Sequence, residues 1–215
     1  MLKRISVIIV IGVLSASAVF SAVPEKLEDS FDAQYKLASN TALPMSARWK
    51  ALLAAAELAN ADQIQKVLAF SKDKDWFMRN ATLIALEKIE SDIVYDKAKE
   101  LMTDKALVVR SAAVEVLSRL SDSSVRRIFS AEMTKKYNFN GKTSLWIRPQ
   151  MMKYLAQKPV EEDKAYFMQF INDSDTQVSL YSIQALEKLT NVRFSGKDKS
   201  SVVAQWQKFA KDNKW

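Results

Sequence analysis

The chain has no histidine and no cysteine, so its chemistry rests on carboxylates, amines, guanidiniums and hydroxyls. That composition excludes Ser-His-Asp and Cys-His nucleophiles, and imidazole- or thiolate-ligated metals. Gly141 and Gly196 are the only glycines beyond the N-terminal apolar segment, which excludes a glycine-rich phosphate cradle and a dinucleotide fingerprint. The acids spaced closely enough for paired acid–base work are Asp73/Asp75 and Asp173/Asp175. Both pairs precede a similar apolar run, where short acidic side chains cap exposed backbone N–H groups. Capping accounts for them, and no catalytic residue, metal or cofactor is predicted.

The cations carry more information. Arg48, Arg79 and Arg110 are 31 residues apart, Arg148 comes 38 later and Ser179 another 31 on. This column reads either as a ladder for an anionic ligand or as a set of bonds from each arginine to a turn aspartate or carbonyl of an adjacent unit. Exposed pairs of that kind contribute only ~0–1 kcal/mol each, so their regularity speaks for geometry.

A second cationic feature is segregated in the chain. Between Arg126 and Lys158, eight basic residues face one acid, Glu132, giving +7, which equals the formal charge of the whole chain. Within this span KKYNFNGKTSLW interleaves Lys135, Lys136 and Lys142 with Tyr137, Phe139 and Trp146. Basic and aromatic residues together suit an acidic protein, a polysaccharide or an anionic membrane surface. The bland alternative is a solvated charged loop whose aromatics pack locally on a lengthened helix. The candidate partner-binding residues are Arg126, Arg127, Lys135, Lys136, Tyr137, Phe139, Lys142, Trp146 and Lys153.

The elements that position these side chains follow from self-similarity. DKDWFMRNATLIALEKI (Asp73–Ile89) returns as DKALVVRSAAVEVLSRL from Asp104 and as DSDTQVSLYSIQALEKL from Asp173. Periods of about 20–50 residues mark repeat architectures. Downstream of the arginine column lie three parallel columns: Ala51, Thr82, Ala113, Met151 and Ser182; Ala54, Ala85, Val116, Tyr154 and Ala185; and Ala55, Leu86, Leu117, Leu155 and Leu186. Their offsets of three and four place all of them on one helical face, and the small residues let stacked helices approach closely.

The pattern D-x-D-x-x-V-R-x-x-A-x-x-A-L, carried by Asp73–Leu86, resembles the HEAT repeat, and more narrowly the short bacterial HEAT-like repeats. The resemblance spans about Met45 to Leu189. It implies an all-α, right-handed α-solenoid of about five helix pairs, and it leaves function open because such solenoids host many roles. The unit containing Arg148 departs from the pattern: it lacks the aspartates, has Pro149 after the arginine and is seven residues longer. Insertions in solenoids usually project from one face, often the binding face.

At the N-terminus Lys3 and Arg4 precede ten apolar residues, Ile5–Leu14, and then the small-residue site Ala16-Ser17-Ala18. This predicts a signal peptide over 1–22; the alternative is an uncleaved anchor, for which ~20 predominantly apolar residues are needed. Pro24 is read as opening a helix with Leu27, Phe31 and Tyr35 on one face. The repeat array is assigned to 23–189, and 190–215 to a C-terminal cap whose helix carries Val202, Val203, Trp206 and Phe209. A second candidate surface is the concave column Trp49, Leu53, Ile84, Glu115, Lys153 and Gln184, with Trp49 and Leu53 expected to be covered by the first helix.

The resulting expectation is an exported, periplasmic or secreted, monomeric protein without catalytic activity. It binds a protein partner as adaptor, scaffold or inhibitor, with no nucleic acid and no small-molecule cofactor. Association with an anionic envelope surface is the alternative.

Overall fold

Helices with apolar stripes of period 3.6 cannot bury those stripes alone, so consecutive helices pair and the pairs stack. The computed structural model describes residues 30–120 and 124–215. The helices are α1 (Phe31–Ser39), α2 (Met45–Leu58), α3 (Ala61–Ala69), α4 (Trp76–Lys88), α5 (Val94–Leu101) and α6 (Leu107–Arg119). They continue with α7 (Ser124–Glu132), α8 (Ile147–Gln157), α9 (Lys164–Met168), α10 (Thr176–Thr190) and α11 (Lys199–Asp212). The even-numbered helices α2 to α10 pack successively against one another, and the odd-numbered α1 to α9 each lie beside the even one that follows. The result is an all-α, HEAT-like solenoid of five helix pairs, closed by α11.

The repeated columns explain the stack. Ala51, Thr82, Ala113, Met151 and Ser182 are all buried, as are Leu86, Leu117, Leu155 and Leu186. The two hydroxyls in the first column are satisfied within their own helices: Thr82 Oγ1 donates to the Met78 carbonyl and Ser182 Oγ to that of Val178, each at 2.8 Å. One apolar cluster joins Phe31 and Ala38 to α2 and to Met78, and a larger one runs from Leu83 to Trp206. Trp49 and Leu53 are half-buried against the first cluster, which α1 helps to build.

Capping residues set the boundaries. Asn60 and Gln63 form a reciprocal capping box on α3, with bonds of 3.0 and 2.9 Å. The Ser30 hydroxyl accepts from Ala33 N–H, and its extended backbone starts α1 at Phe31. This corrects the expectation of one helix from Pro24 to near Asn40, since the extended Ser30 cannot lie within it; Pro24 and Leu27 are outside the described residues. The segment read as a signal peptide lies outside the described residues. No helix among the described residues is long and apolar enough to cross a membrane.

At the C-terminus Asn191, at φ 55°, turns the chain out of α10. Trp206 is fully buried and packs edge-on against Phe194 at 4.9 Å, and Phe209 touches both Trp206 and Trp215. Lys199 Nζ donates to the Asp173 carbonyl at 2.7 Å, which ties α11 to the turn before α10. This is the expected apolar cap on the last pair.

Candidate functional site

The turns that precede the even-numbered helices are built on a common plan. The aspartate N–H donates to a carbonyl three residues back, Asp73 to Phe70, Asp104 to Leu101 and Asp173 to Phe170, at 3.0 to 3.1 Å. Its Oδ1 then accepts from the N–H two residues on, at Asp75, Ala106 and Asp175, at 2.7 to 2.8 Å. The carboxylate also takes a cation, through Oδ2 alone in Asp73 and through both oxygens in Asp104 and Asp173. The cation comes from the arginine 25 residues earlier: Arg48 reaches Asp73 at 3.3 Å, Arg79 grips Asp104 at 2.6 and 2.7 Å, and Arg148 grips Asp173 at 2.6 and 3.1 Å.

Of the two readings of the arginine column, the geometry thus favours the internal one. The guanidiniums also donate to carbonyls, Arg48 to Ala38 at 2.9 Å, Arg79 to Asp73 at 2.8 Å and Arg148 to Met133 at 2.8 Å. Where Ser179 replaces arginine, its hydroxyl donates to the Ile171 carbonyl at 2.5 Å.

Burial pushes the Asp104 carboxyl up. The hydrogen bonds from Arg79 and from Ala106 N–H, with the nearby positive charge, outweigh burial and hold it below the ordinary value of 3.8. Asp173 is held down in the same way, by Arg148 and Asp175 N–H against its own burial. The expected capping role is fulfilled in the usual sense by Asp175, which accepts from Gln177 and Val178 N–H. Asp75 instead turns its carboxylate to Arg48 at 2.8 Å.

The unit that breaks the pattern keeps the backbone and loses the carboxylate. Lys135 N–H donates to the Glu132 carbonyl at 3.2 Å, the same bond three residues back that the aspartates make. The extra residues then form a 3-10 turn at Lys136–Asn138 and a hairpin of β1 (Phe139–Asn140) and β2 (Thr143–Ser144). Gly141, at φ 61°, provides the left-handed residue of its two-residue turn. The insertion does not lengthen α8, which has 11 residues against 13 in α4 and α6.

The hairpin is pinned from beneath. Asn138 is buried and donates to the Glu132 carbonyl at 2.9 Å, and Leu145 N–H returns to the Asn138 carbonyl at 3.0 Å. The Phe139 ring lies 4.3 Å from the Arg148 guanidinium, and the Tyr137 ring 5.9 Å from that of Arg110. The Tyr137 hydroxyl donates to Glu132, and burial followed by that bond raises its pKa above the ordinary range. The loop alternative is therefore half right: two aromatics pack locally, Phe139 on Arg148 at the start of α8 and Tyr137 on Arg110 of α6, but no helix is lengthened. The lysines stay in solvent.

The nine candidate residues fall into three places. Lys135, Lys136, Tyr137, Phe139, Lys142 and Trp146 surround the hairpin at the N-terminal end of α8. Lys135, Lys136 and Lys142 are exposed and have no ion-pair partner among the described residues, and Trp146 is 54% exposed.

Arg126 and Arg127 are elsewhere. Arg126 donates to the carbonyls of Leu155 and Lys158 at 3.2 to 3.4 Å and pairs with Asp163, which puts it at the far end of α8. Burial pulls its pKa down from the ordinary value, although a guanidinium stays charged. Eleven helical residues separate the two ends, roughly 16 Å at 1.5 Å per residue. Arg126 is a strut, and Arg127 beside it is exposed.

Lys153 lies in the third place, a groove between α6 and α8 lined also by Glu115, Arg119, Gln150 and Tyr154. Charge in that groove is mixed. Arg119 is already spent on Glu87, with bonds of 2.5 and 2.8 Å.

Sequence reasoning did not identify Arg110 as unlike its fellows. The signal was available: the residue 25 positions ahead of it is a lysine, where the other arginines have an aspartate.

No curated protein matches the chain. Residues 40–118 match the family model described as HEAT repeats, which takes in α2 to α6 and stops before the interrupted unit. Over that stretch the chain is similar to HEAT repeats, and it is a HEAT-like repeat protein in fold.

Proposed function

We propose that the chain is a non-catalytic binding protein, an adaptor, scaffold or inhibitor, that docks an acidic protein partner on the hairpin before α8. The observation that carries this reading is the contrast between paired and unpaired cations. The arginines of the regular turns are buried and bonded to carboxylates, whereas Lys135, Lys136 and Lys142 stand in solvent without a counter-charge beside an exposed Trp146. An exposed tryptophan is a common interface anchor, and surrounding charges steer an oppositely charged partner to it. The scaffold beneath is rigid, because Asn138, Phe139 and Tyr137 all fasten the hairpin to α7, Arg148 and Arg110. HEAT-like solenoids commonly mediate protein–protein contact through such extended surfaces. Export to the periplasm or beyond, directed by residues 1–22, belongs to this proposal, and mass spectrometry of the native chain tests it through the start of the mature protein.

The experiment is capture of partners from envelope extract by the wild type and by a Lys135/Lys136/Lys142→Glu variant. Loss of the captured protein from the variant is expected, and equal recovery overturns the hairpin as the site. Unpaired lysines beside an exposed tryptophan also favour a second reading, adhesion to an anionic envelope surface. Co-sedimentation that collapses as salt rises supports that reading, because exposed charges are screened within ~8 Å at physiological ionic strength.

A further inference from the structure

Arg110 is the one arginine of the column without a carboxylate among the described residues. It is 5% exposed, and its guanidinium meets only carbonyl oxygens, those of Asp104 at 2.7 Å, Lys105 at 3.4 Å and Tyr137 at 3.0 Å, with the Tyr137 ring above. Its Nε is buried with no acceptor among the described residues. The nearest acid in sequence to the hairpin, Glu132, takes the Tyr137 hydroxyl instead. A buried guanidinium without a counter-charge is unfavourable, and here the repeat position that should supply the anion carries Lys135.

The backbone at that position is ready for an acid. Lys135 makes the same turn bond as Asp73, Asp104 and Asp173, so the place of the missing carboxylate is defined by three internal examples. In those examples the carboxylate side chain is itself 17%, 7% and 13% exposed, so the position lies just beneath the surface. At the interrupted unit the lysine side chain runs out to solvent, and the Tyr137 carbonyl and ring cover the guanidinium in place of a carboxylate.

We infer that this rung without a carboxylate is a carboxylate-binding site, and that a Glu or Asp side chain of a partner's extended segment displaces the Tyr137 cover to pair with Arg110. Lys135 and Lys136 flank the incoming acid, and an apolar neighbour of that acid rests on Trp146, so the segment recognised is acidic with apolar residues interleaved. The inference rests on the reading of the hairpin as the docking face, and it adds which chemical group the partner presents and which buried residue receives it.

Three single variants separate the two claims. Lys135→Asp installs the aspartate that the repeat elsewhere uses, so it fills the rung from within. Lys142→Asp makes the same charge change on the hairpin tip and leaves the rung without a carboxylate. Lys158→Asp makes it at the other end of α8. Calorimetric titration uses a terminally blocked ten-residue peptide of alternating glutamate and leucine, with inorganic phosphate and phosphatidylglycerol vesicles as separate arms.

The expected result is peptide binding that Lys135→Asp weakens at least about tenfold, Lys142→Asp weakens less and Lys158→Asp leaves alone, since a hydrogen-bonded charge pair is worth about that factor. The thermal midpoint of Lys135→Asp should rise, because Arg110 gains its counter-charge. Equal weakening by Lys135→Asp and Lys142→Asp keeps the docking face and overturns the Arg110 site. No effect of either overturns both. Binding of phosphate or vesicles without binding of the peptide overturns the assignment to a peptide, and a lowered midpoint for Lys135→Asp overturns the reading of Arg110 as a rung that lacks its acid.

Discussion

In the turn before α6, Asp104 accepts two bonds from Arg79 and one from Ala106 N–H, and all three groups are buried or nearly so. In the turn before α8, Lys135 holds the equivalent backbone place, and Arg110 finds carbonyls and an aromatic ring but no carboxylate. The two turns perform the same mechanical task of fixing one helix pair on the next. They differ in where the charge ends up. The first turn consumes its charge internally and offers solvent nothing selective; the second leaves cations and a tryptophan at the surface. Regular repetition builds the frame, and an interruption of it frees groups for binding.

The largest effect should come from breaking a complete rung. Arg79→Met strands the Asp104 carboxylate in a site where its side chain is 7% exposed, and a loss of about 3–5 kcal/mol is expected in urea unfolding. Arg110→Met strands only carbonyls and also removes an unpaired buried charge, so its loss should be smaller, about 1–3 kcal/mol. If the two variants lose equal stability, the contrast between the turns has no energetic content.

Acid should separate the turns as well. Asp104 and Asp173 sit below their ordinary value of 3.8, so the folded state binds protons later than the unfolded chain. The stability they contribute is present above that value and is lost as pH falls through their depressed folded values. The wild type should therefore weaken below about pH 4, and Asp104→Asn should show a shallower fall. A fall of the same steepness in that variant would remove the rung as its cause.

A smaller effect is expected at the hairpin turn. Gly141 has φ 61° and open space around it, so Gly141→Ala should lose only the left-handed backbone penalty of about 1–2 kcal/mol. Because the hairpin sits on the frame rather than in it, that loss should appear in hydrogen exchange of residues 136–146 before global unfolding responds. The smallest effect belongs to the surface. Lys135/Lys136/Lys142→Glu should leave stability within about 0.5 kcal/mol, as exposed substitutions do.

Much of the frame was legible because its parts repeat. The buried columns from Ala51 to Ser182 and the apolar face of α11 follow from helical phase alone. The start of α1 is not, because Phe31 and Tyr35 continue the spacing of Leu27, while the extended backbone of Ser30 caps the helix at Phe31. Asn140-Gly141 is a strong turn signal for the hairpin, but the helical repeat on both sides makes the same residues look like a plain loop.

The candidate site was legible only in part. Arg126 and Arg127 are near the hairpin in sequence, but α7 and α8 run antiparallel and carry them to the opposite end. Lys153 points into the groove between α6 and α8. The forward reach of each arginine over 25 residues joins different units, so no periodicity within one helix could reveal that Arg110 lacked its acid.

The most direct measurement compares two charge-reversed proteins that carry the same change in net charge. One is Lys135/Lys136/Lys142→Glu at the interrupted turn; the other is Lys72/Lys74/Lys105→Glu, exposed lysines beside the regular turns. Affinity for a captured acidic partner should fall at least about tenfold in the first and stay near wild type in the second. Equal loss in both would contradict the account, because binding would then follow overall charge rather than the break in the repeat.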